Sequence, residues 1–286
     1  MLEPRDARDH ATEVATSGPG KMATDRPAEF VEALAKGLAI LECFDAASPE
    51  MTLSEIARKV GLSPAAARRS LITLGALGYV GRSGKRFHLR PRVMTLGSAF
   101  YFSARIDEVL QPVLRDLVAK FGDASSVGSL DGGDVIYVAH ASVQRARRAA
   151  AVVGARYPAH ATSLGRVMLA GLPEADLEAY LDGLVIEPLT SKTITDTDAL
   201  RRELDNVRET QRSVTVDQLD YGITALAVPI RTTDGRTVAA LNTSGYSGMV
   251  DPEMLIRDRL TDLRAAAATV AQTLTRYPAL ATVIGR

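Results

Sequence analysis

Apolar residues follow a helical period from Phe30 onward. Phe30, Leu34, Leu38 and Leu41 recur three to four apart and predict a helix from Phe30 to Ala46. Leu53, Ile56 and Val60 mark one side of a short second helix, which Gly61-Leu62-Ser63 interrupts. Pro64 then opens a third helix at its first position, where the missing N–H costs nothing. Ser63 stands at the N-cap. In this third helix Ala67, Leu71 and Leu74 form the stripe expected to be buried, and Ala65, Arg68, Arg69 and Thr73 look outward. A hairpin follows: Tyr79-Val80, a turn at Arg82-Ser83-Gly84-Lys85, and Arg86-Phe87-His88-Leu89.

Two helices joined by a glycine turn, the second with a small and basic outer face, make a helix-turn-helix pattern. The hairpin adds a wing with basic residues at its tip. A lone Arg-Arg pair on a helix is usually a solvated face, but here helix, turn, Pro-started helix and basic hairpin come in order. Between Phe30 and Arg90 the bases outnumber the acids, and the excess lies on the third helix and the wing, where phosphates would be met. The candidate DNA contacts are Ser63, Ala65, Arg68, Arg69, Thr73, Lys85 and Arg86.

Residues 1–29 hold few large apolar side chains and read as a disordered tail. Residues 30–90 form the winged helix-turn-helix unit. In 91–105, Val93, Leu96 and Phe100 suggest a linking helix after Pro91. Residues 106–286 make a second domain. Its first element is a helix from Arg105 to Phe121. The period then changes to short strands at Ser125–Leu130 and Val135–His140 around Asp131-Gly132-Gly133-Asp134, a hairpin turn. A strand is expected near Ala149–Val153 and a helix over Ser163–Gly171, capped by Thr162 or Ser163. Thr195-Asp196 caps a helix running to about Gln211. Strands follow at Ser213–Val216, Ile223–Pro229 and Thr237–Ser244, the last two joined by Asp234-Gly235. Asp251-Pro252 starts the final helix. The fold class is α+β: helices around a central, largely antiparallel sheet.

At 286 residues with zero net charge, the chain is long enough for two cores, and its basic character is local rather than general. The single cysteine, Cys43, excludes an internal disulfide framework and reads as a packed thiol. No apolar run reaches membrane-spanning length, so no membrane partner is expected and the chain is placed in the cytoplasm. An enzyme fused to a DNA unit is the rival class, and it finds little support. There is no Gly-x-Ser-x-Gly, no phosphate-binding glycine loop, no His-Glu-x-x-His and no cysteine pair for a metal. The four histidines are scattered. No cofactor and no catalytic residue are assigned.

Several motifs in one order carry a resemblance. They are Leu53-Ser54-Glu55-Ile56-Ala57, Ala67-Arg68-Arg69, Leu77-Gly78-Tyr79-Val80, Gly154 through Arg166, Val216-Asp217-Gln218, Ala227-Val228-Pro229-Ile230 and Ala239 through Ser244. From about Phe30 to Arg276 the chain resembles the IclR family of bacterial transcription regulators. Within it, the chain is similar to the branch controlling protocatechuate, 4-hydroxybenzoate and β-ketoadipate catabolism. The resemblance implies a winged helix-turn-helix, a linking helix and a GAF-like effector domain. It also implies a homo-oligomer, dimer or dimer of dimers, on double-stranded and palindromic operator DNA, with a small organic acid as effector. The branch usually has Tyr where His160 stands and Arg where Thr224 stands, and its loop is one residue longer around Gln218–Gly222. Loss of that Arg removes a natural carboxylate partner.

The candidate effector contacts are His160, Thr162, Ser163, Asp217, Thr224, Asn242 and Ser244. His160-Ala161-Thr162-Ser163 leads into a helix start, where backbone N–H groups lack partners and favour an anion. The same residues could merely cap the helix, with His160 on a surface loop. Asn242 and Ser244 lie two apart on a strand and share a face, which is turned either to solvent or to ligand. Asp217 either accepts from a ligand hydroxyl or caps a turn. A protonated His160 would add a charge.

Overall fold

The computed structural model describes residues 27–103, 105–143, 151–277, 281, 284 and 285. Most of the tail expected over 1–29 lies outside them. The chain divides after Val93 into two compact units. The linking helix α4 (Met94–Ser103), preceded by a short 3-10 turn at Pro91–Val93, belongs to the second.

The first unit holds α1 (Glu32–Glu42), β1 (Glu50–Thr52), α2 (Leu53–Lys59), α3 (Pro64–Ala76), β2 (Val80–Ser83) and β3 (Arg86–Leu89). Thr52 and Glu55 start α2 with a capping box: each side chain takes the other's backbone N–H. Ser63 accepts the Ala66 N–H and starts α3. Ala67, Leu71 and Leu74 are buried against Ile40, Ile56 and Val80, as the period predicts. β1, which the sequence reading did not anticipate, pairs with β3 and makes the wing a three-stranded sheet in the order β1-β3-β2. Gly84, at φ +58°, turns the hairpin. Helix α1 is shorter than expected. Phe30, Leu34 and Leu38 are exposed, Leu34 at 62%, and Ile40 is its buried residue.

The second unit opens with α4, then α5 (Ile106–Val109) and α6 (Gln111–Phe121). The helix expected as one piece is split because Pro112 lacks an N–H and its ring disfavours the preceding turn. β4 (Ala124–Asp131) and β5 (Asp134–Ser142) form the expected hairpin. No strand forms at residues 151–153; Val153-Gly154 is a turn, with Gly154 at φ +89°. The strand comes later, as β6 (Arg156–Pro158), pairing with the start of β5. Residues 149 and 150 lie outside the described set. Next are a 3-10 turn at Ala159–Ala161, α7 (Ser163–Ala170), α8 (Glu174–Asp182), which was not foreseen, and α9 (Thr197–Thr210). β7 (Ser213–Val216), β8 (Ile223–Arg231), β9 (Thr237–Tyr246) and α10 (Pro252–Arg276) complete the unit.

The six strands form one antiparallel sheet in the order β6-β5-β4-β9-β8-β7. Side chains alternate between its faces. One face carries Val127, Leu226, Val228 and Leu241 and packs under α6 and α10, with Leu114, Leu117, Leu255, Leu263 and Val270. The other carries Val135, Ala227 and Ala240 and packs under α7, α8 and α9, with Leu164, Val167, Leu177 and Leu204.

Gly165 lets α7 lie directly on the turn before it. A Cβ there would sit 2.1 Å from the Ala159 carbonyl oxygen, a backbone atom that cannot swing aside. Gly165→Ala should therefore push α7 away from the sheet and cost roughly 1–3 kcal/mol. Chemical unfolding measures this, and an unchanged midpoint would show that the close approach is not needed.

Candidate functional site

On α3, Ala65, Arg68, Arg69 and Thr73 are all exposed on the side away from the buried stripe. Thr73 donates its hydroxyl to the Arg69 carbonyl. Ser63 has its hydroxyl committed to the cap. On the wing the two basic residues part company. Lys85 lies exposed at the turn. Arg86 donates to the Glu50 carbonyl at 2.9 Å and stands 3.9 Å from Glu55, so it also ties the wing to β1 and α2. Arg82, which the sequence reading did not select, stacks over Phe87 and donates to the Gly84 carbonyl, bracing the turn beneath Lys85.

In the second unit, strand register sets which residues share the face beneath α7. Three rungs run across it. The first is Tyr137, Gly128, Ala240 and Pro229. The second is His140, Ser126, Asn242, Ala227 and Ser213. The third is Ser142, Ala124, Ser244, Ala225 and Thr215. Most of these side chains are small, and the polar ones gather on the last two rungs. Leu164, the second residue of α7, lies over Gly128, since a Cβ on that glycine would be 3.2 Å from its Cδ1. At the other end of the helix a Cβ on Gly171 would meet Thr237 at 2.6 Å. Helix α7 thus runs along β9 with its N-terminal end toward Ala240 and Asn242.

At that end, Thr162 accepts the Gly165 N–H at 3.0 Å and so caps the helix. Helix geometry leaves the amides of Ser163 and Leu164 without an intrahelical acceptor. Ser163 is 1% exposed, and its buried hydroxyl has no partner among the described residues. Asn242 is oriented: its Oδ1 accepts the Ser126 backbone N–H at 2.9 Å. Its NH2 group is then the part left to face a ligand, and it can only donate. Ser244 is half-buried on the next rung.

Two of the candidates, Thr224 and Asp217, are placed elsewhere, and a third, His160, lies in the turn before α7. Thr224 pairs with Gly245 and alternates with Leu226 and Val228, which puts it on the α10 face. Its hydroxyl donates to Ser247. Ala225, Ala227 and Pro229 are the β8 residues that face α7. Asp217, at φ +53°, ties its own loop by accepting from Gly222 N–H at 2.7 Å and the Ser247 hydroxyl at 2.8 Å. Of its two readings, these bonds satisfy the turn cap. His160 is buried, not a surface loop residue, and its electrostatic neighbours are Arg166 and Asp134. Burial, reinforced by the Arg166 charge, pushes its pKa down to about 4, so it is neutral near pH 7 and adds no positive charge.

Arg166, two percent exposed, is the charged group beside His160. Its Nε donates to the His160 carbonyl at 2.8 Å and its Nη2 to Gln218 Oε1 at 2.7 Å, with Glu203 at 3.8 Å. Burial lowers its pKa to about 10, opposed by Glu203, and it stays protonated at neutral pH. Gln218 Oε1 also accepts the Ile194 N–H, which fastens the 190–194 loop to the start of α7. Ser126 and His140 are the other residues that the sequence did not single out. The Ser126 Oγ lies 3.0 Å from His140 Nδ1 on the same rung as Asn242.

A winged helix-turn-helix unit joined to a domain with a polar, helix-capped site on one sheet face defines a DNA-binding regulator with a sensor domain. The comparisons agree. Residues 33–84 match the IclR helix-turn-helix domain, and residues 100–272 match the bacterial transcriptional regulator IclR C-terminal domain. The chain belongs to the IclR family of bacterial transcriptional regulators. It is 33% identical over 247 residues to the Pca regulon regulatory protein of Pseudomonas putida, covering 86% of this chain and 85% of that protein. A transcriptional regulator of Rhodococcus sp. RHA1 has a solved structure similar to it, with TM-score 0.72 and 42% identity over 87% of this chain and all of that one. The inducer-binding domain of the Acinetobacter PobR transcription factor, solved as a double mutant with 3-hydroxybenzoic acid, superposes with TM-score 0.54 at 32% identity, covering 57% of this chain and 96% of that one. Both matched domains are regulatory, and the chain is a transcription regulator rather than an enzyme. No described helix is long and apolar enough to cross a membrane.

The depressed pKa of His160 has a consequence for stability. An unfolded histidine titrates near 6.5, so between about pH 6.5 and 4 the unfolded chain takes a proton that the folded chain refuses. Stability should fall as pH falls through that window. The contribution of this group between pH 7 and pH 4.5 is on the order of 2–3 kcal/mol. Urea unfolding of the wild type and of His160→Gln at both pH values should show the variant losing that much less. Equal losses would refute the assignment of a buried neutral ring.

Proposed function

We propose that this chain controls genes for the breakdown of small aromatic acids. In this reading an acid held beneath α7 changes how α3 and the wing hold an operator, in the cytoplasm. The observation that carries it is the juxtaposition at the start of α7. Uncapped amides, a buried Ser163 hydroxyl without a described partner, the Asn242 amide and the buried Arg166 charge all favour an anion, above a sheet face of mostly small residues. The similarity to the Pca regulon regulator and to the hydroxybenzoate-bound PobR domain supports the aromatic class. Ser163, Asn242 and Ser244 are the direct contacts, Thr162 shapes the helix start, and Arg166 acts through charge. Without the branch's Arg at position 224, affinity for the acid rests on these groups.

Calorimetry with a hydroxybenzoate tests the reading. Asn242→Ala together with Ser244→Ala should weaken acid binding by at least about tenfold, equivalent to the loss of one or two hydrogen bonds. It should also abolish the acid's effect on operator affinity while leaving the acid-free affinity unchanged. Full acid binding by the double variant would move the site elsewhere.

On the DNA side, Arg68 and Arg69 are proposed to enter the major groove with Ala65 and Thr73, while Lys85 meets phosphate. Arg86 holds the wing as well as any phosphate it reaches. The exposed Phe30, just before α1, and the exposed Leu34 and Leu38 on it suit a second copy of the chain, and a paired protein reads a palindromic operator. Arg69→Ala should cost roughly 1–3 kcal/mol on operator DNA and little on random DNA. Lys85→Ala should weaken both alike and reduce the salt slope by about one. Gel-shift titrations over a salt series measure both effects, and an unchanged operator affinity for Arg69→Ala would remove it from the base-reading surface.

A further inference from the structure

We infer that the linking helix α4 is a strut gripped at each end by an arginine stacked on a tyrosine, and that these two clamps carry the coupling between the acid site and the DNA-reading helix. This rests on the response proposed above.

At the DNA end, the Arg92 guanidinium lies over the Tyr79 ring, 5.3 Å from its centre. Tyr79 follows α3 closely. Its N–H donates to the Leu74 carbonyl in the last turn of that helix, and its own carbonyl accepts the Arg90 N–H at 2.8 Å. Gly78, at φ +80°, turns the chain so that Arg92 lies along it. One tyrosine thus joins the end of α3 to the chain leaving the wing. At the sensor end, the Arg105 guanidinium lies over the Tyr277 ring, 5.2 Å from its centre, and its Nε donates to Glu108 at 2.8 Å. Tyr277 closes α10, with its N–H turned to the Thr273 and Leu274 carbonyls. The same helix sends Arg259 to Thr243, which stands between Asn242 and Ser244 on β9.

The helix between the clamps depends on its ends. It is 10 residues long with Gly97 inside, too short to be stable by itself. Met94 to Ala99 are exposed, and only at Phe100 and Tyr101 does it begin to pack on the sensor core. Arg105 then turns the chain in the left-handed region, at φ +52°. That conformation is unfavourable for a residue with a side chain and persists only where the surroundings hold it. Here the stack on Tyr277 and the ion pair with Glu108 supply the hold. A cation over an exposed ring is worth about a two- to fivefold change in an equilibrium constant. Two clamps on one strut act in series, so losing either one disconnects the same two ends.

Fluorescence anisotropy tests the inference with the full-length protein, on a duplex that the wild type selects from a random-sequence library. Titrations with and without 4-hydroxybenzoate give the factor by which the acid changes DNA affinity. Arg92→Ala and Arg105→Gly should each shrink that factor about two- to fivefold. Glycine keeps the left-handed turn without strain, so it removes the clamp and spares the bend. DNA affinity without acid, and acid affinity without DNA, should match the wild type, which also shows that each variant is folded. Tyr79→Phe and Tyr277→Phe keep the rings and should keep the full factor. The double arginine variant should lose no more than either single. Should Arg105→Gly fail to fold, Tyr277→Ala tests the same clamp. A full factor in either arginine variant, or losses that multiply in the double variant, overturns the strut and leaves the acid site standing. If Arg92→Ala lowers acid-free DNA affinity and spares the factor, Arg92 is a phosphate contact and the clamp is overturned. A wild type that binds the acid with no change in DNA affinity overturns the response and this inference together.

Discussion

The close contact of α7 with the turn before it is the constraint on which the sensor site depends. Gly165 sits where any side chain would strike the Ala159 carbonyl. Because it has none, the helix start can settle onto the sheet, and Thr162 can close the cap. Arg166 then fixes what the glycine permits. A buried guanidinium is costly unless its donors are met, and here a carbonyl of the preceding turn and the Gln218 amide meet them. One cation therefore orders three segments: the 159–161 turn, the start of α7, and the loop around Gln218. Each of them borders the proposed effector site. Removing the charge would leave that geometry without its fastening.

The sheet itself is the second determinant. Its two faces are chemically different because their side chains come from alternate positions on the same strands. The face under α10 is mostly apolar, with Ser125, Thr224 and Thr243 buried at one end. The buried Arg259 of α10 is paired with the buried Asp123 at 2.7 Å and rests over Phe121. The face under α7 is apolar at one end and polar at the other. Thr243 donates its position to the first face and Asn242 and Ser244 to the second, so adjacent residues of β9 serve the core and the site in turn. A shift of one residue in register would exchange these roles.

Much of this could be read from the chain, and the failures have definite causes. The helix-turn-helix was legible because its signals are local: a Pro at the first helical position, a Ser cap, a glycine turn and a short apolar stripe. The antiparallel sheet and the final helix were legible for the same reason. The position of Thr224 came from resemblance, although the chain itself holds the answer. Thr224 alternates with Leu226, Val228 and Ile230, an apolar series that belongs in a core, whereas Ala225 and Ala227 are the residues turned toward α7. Ser126 and His140 were not legible at all. They are 14 residues apart on different strands, and only the register of β4 with β5 and β9 brings them onto one rung with Asn242. His160 misled for another reason. A histidine in a loop-like stretch could be a charged ligand contact or a surface residue, and nothing local announces that it is buried beside Arg166 and Asp134.

The DNA unit poses a different physical problem. Its core is small, built from Ile40, Ile56, Leu71, Val80 and a few neighbours, and a unit of this size buries only a modest share of its surface. Yet α1 leaves Leu34 and Leu38 in water, on the helix that also supplies Ile40. Exposed apolar residues at helical spacing are costly to solubility unless something covers them. Covering this face with the same face of a second chain would remove apolar area from water on both copies at once. It would also present two α3 helices to one DNA site. Stability of the small unit and two-fold reading of DNA would then follow from the same buried stripe, which gives a physical reason for an amphipathic helix whose apolar side the single chain does not use.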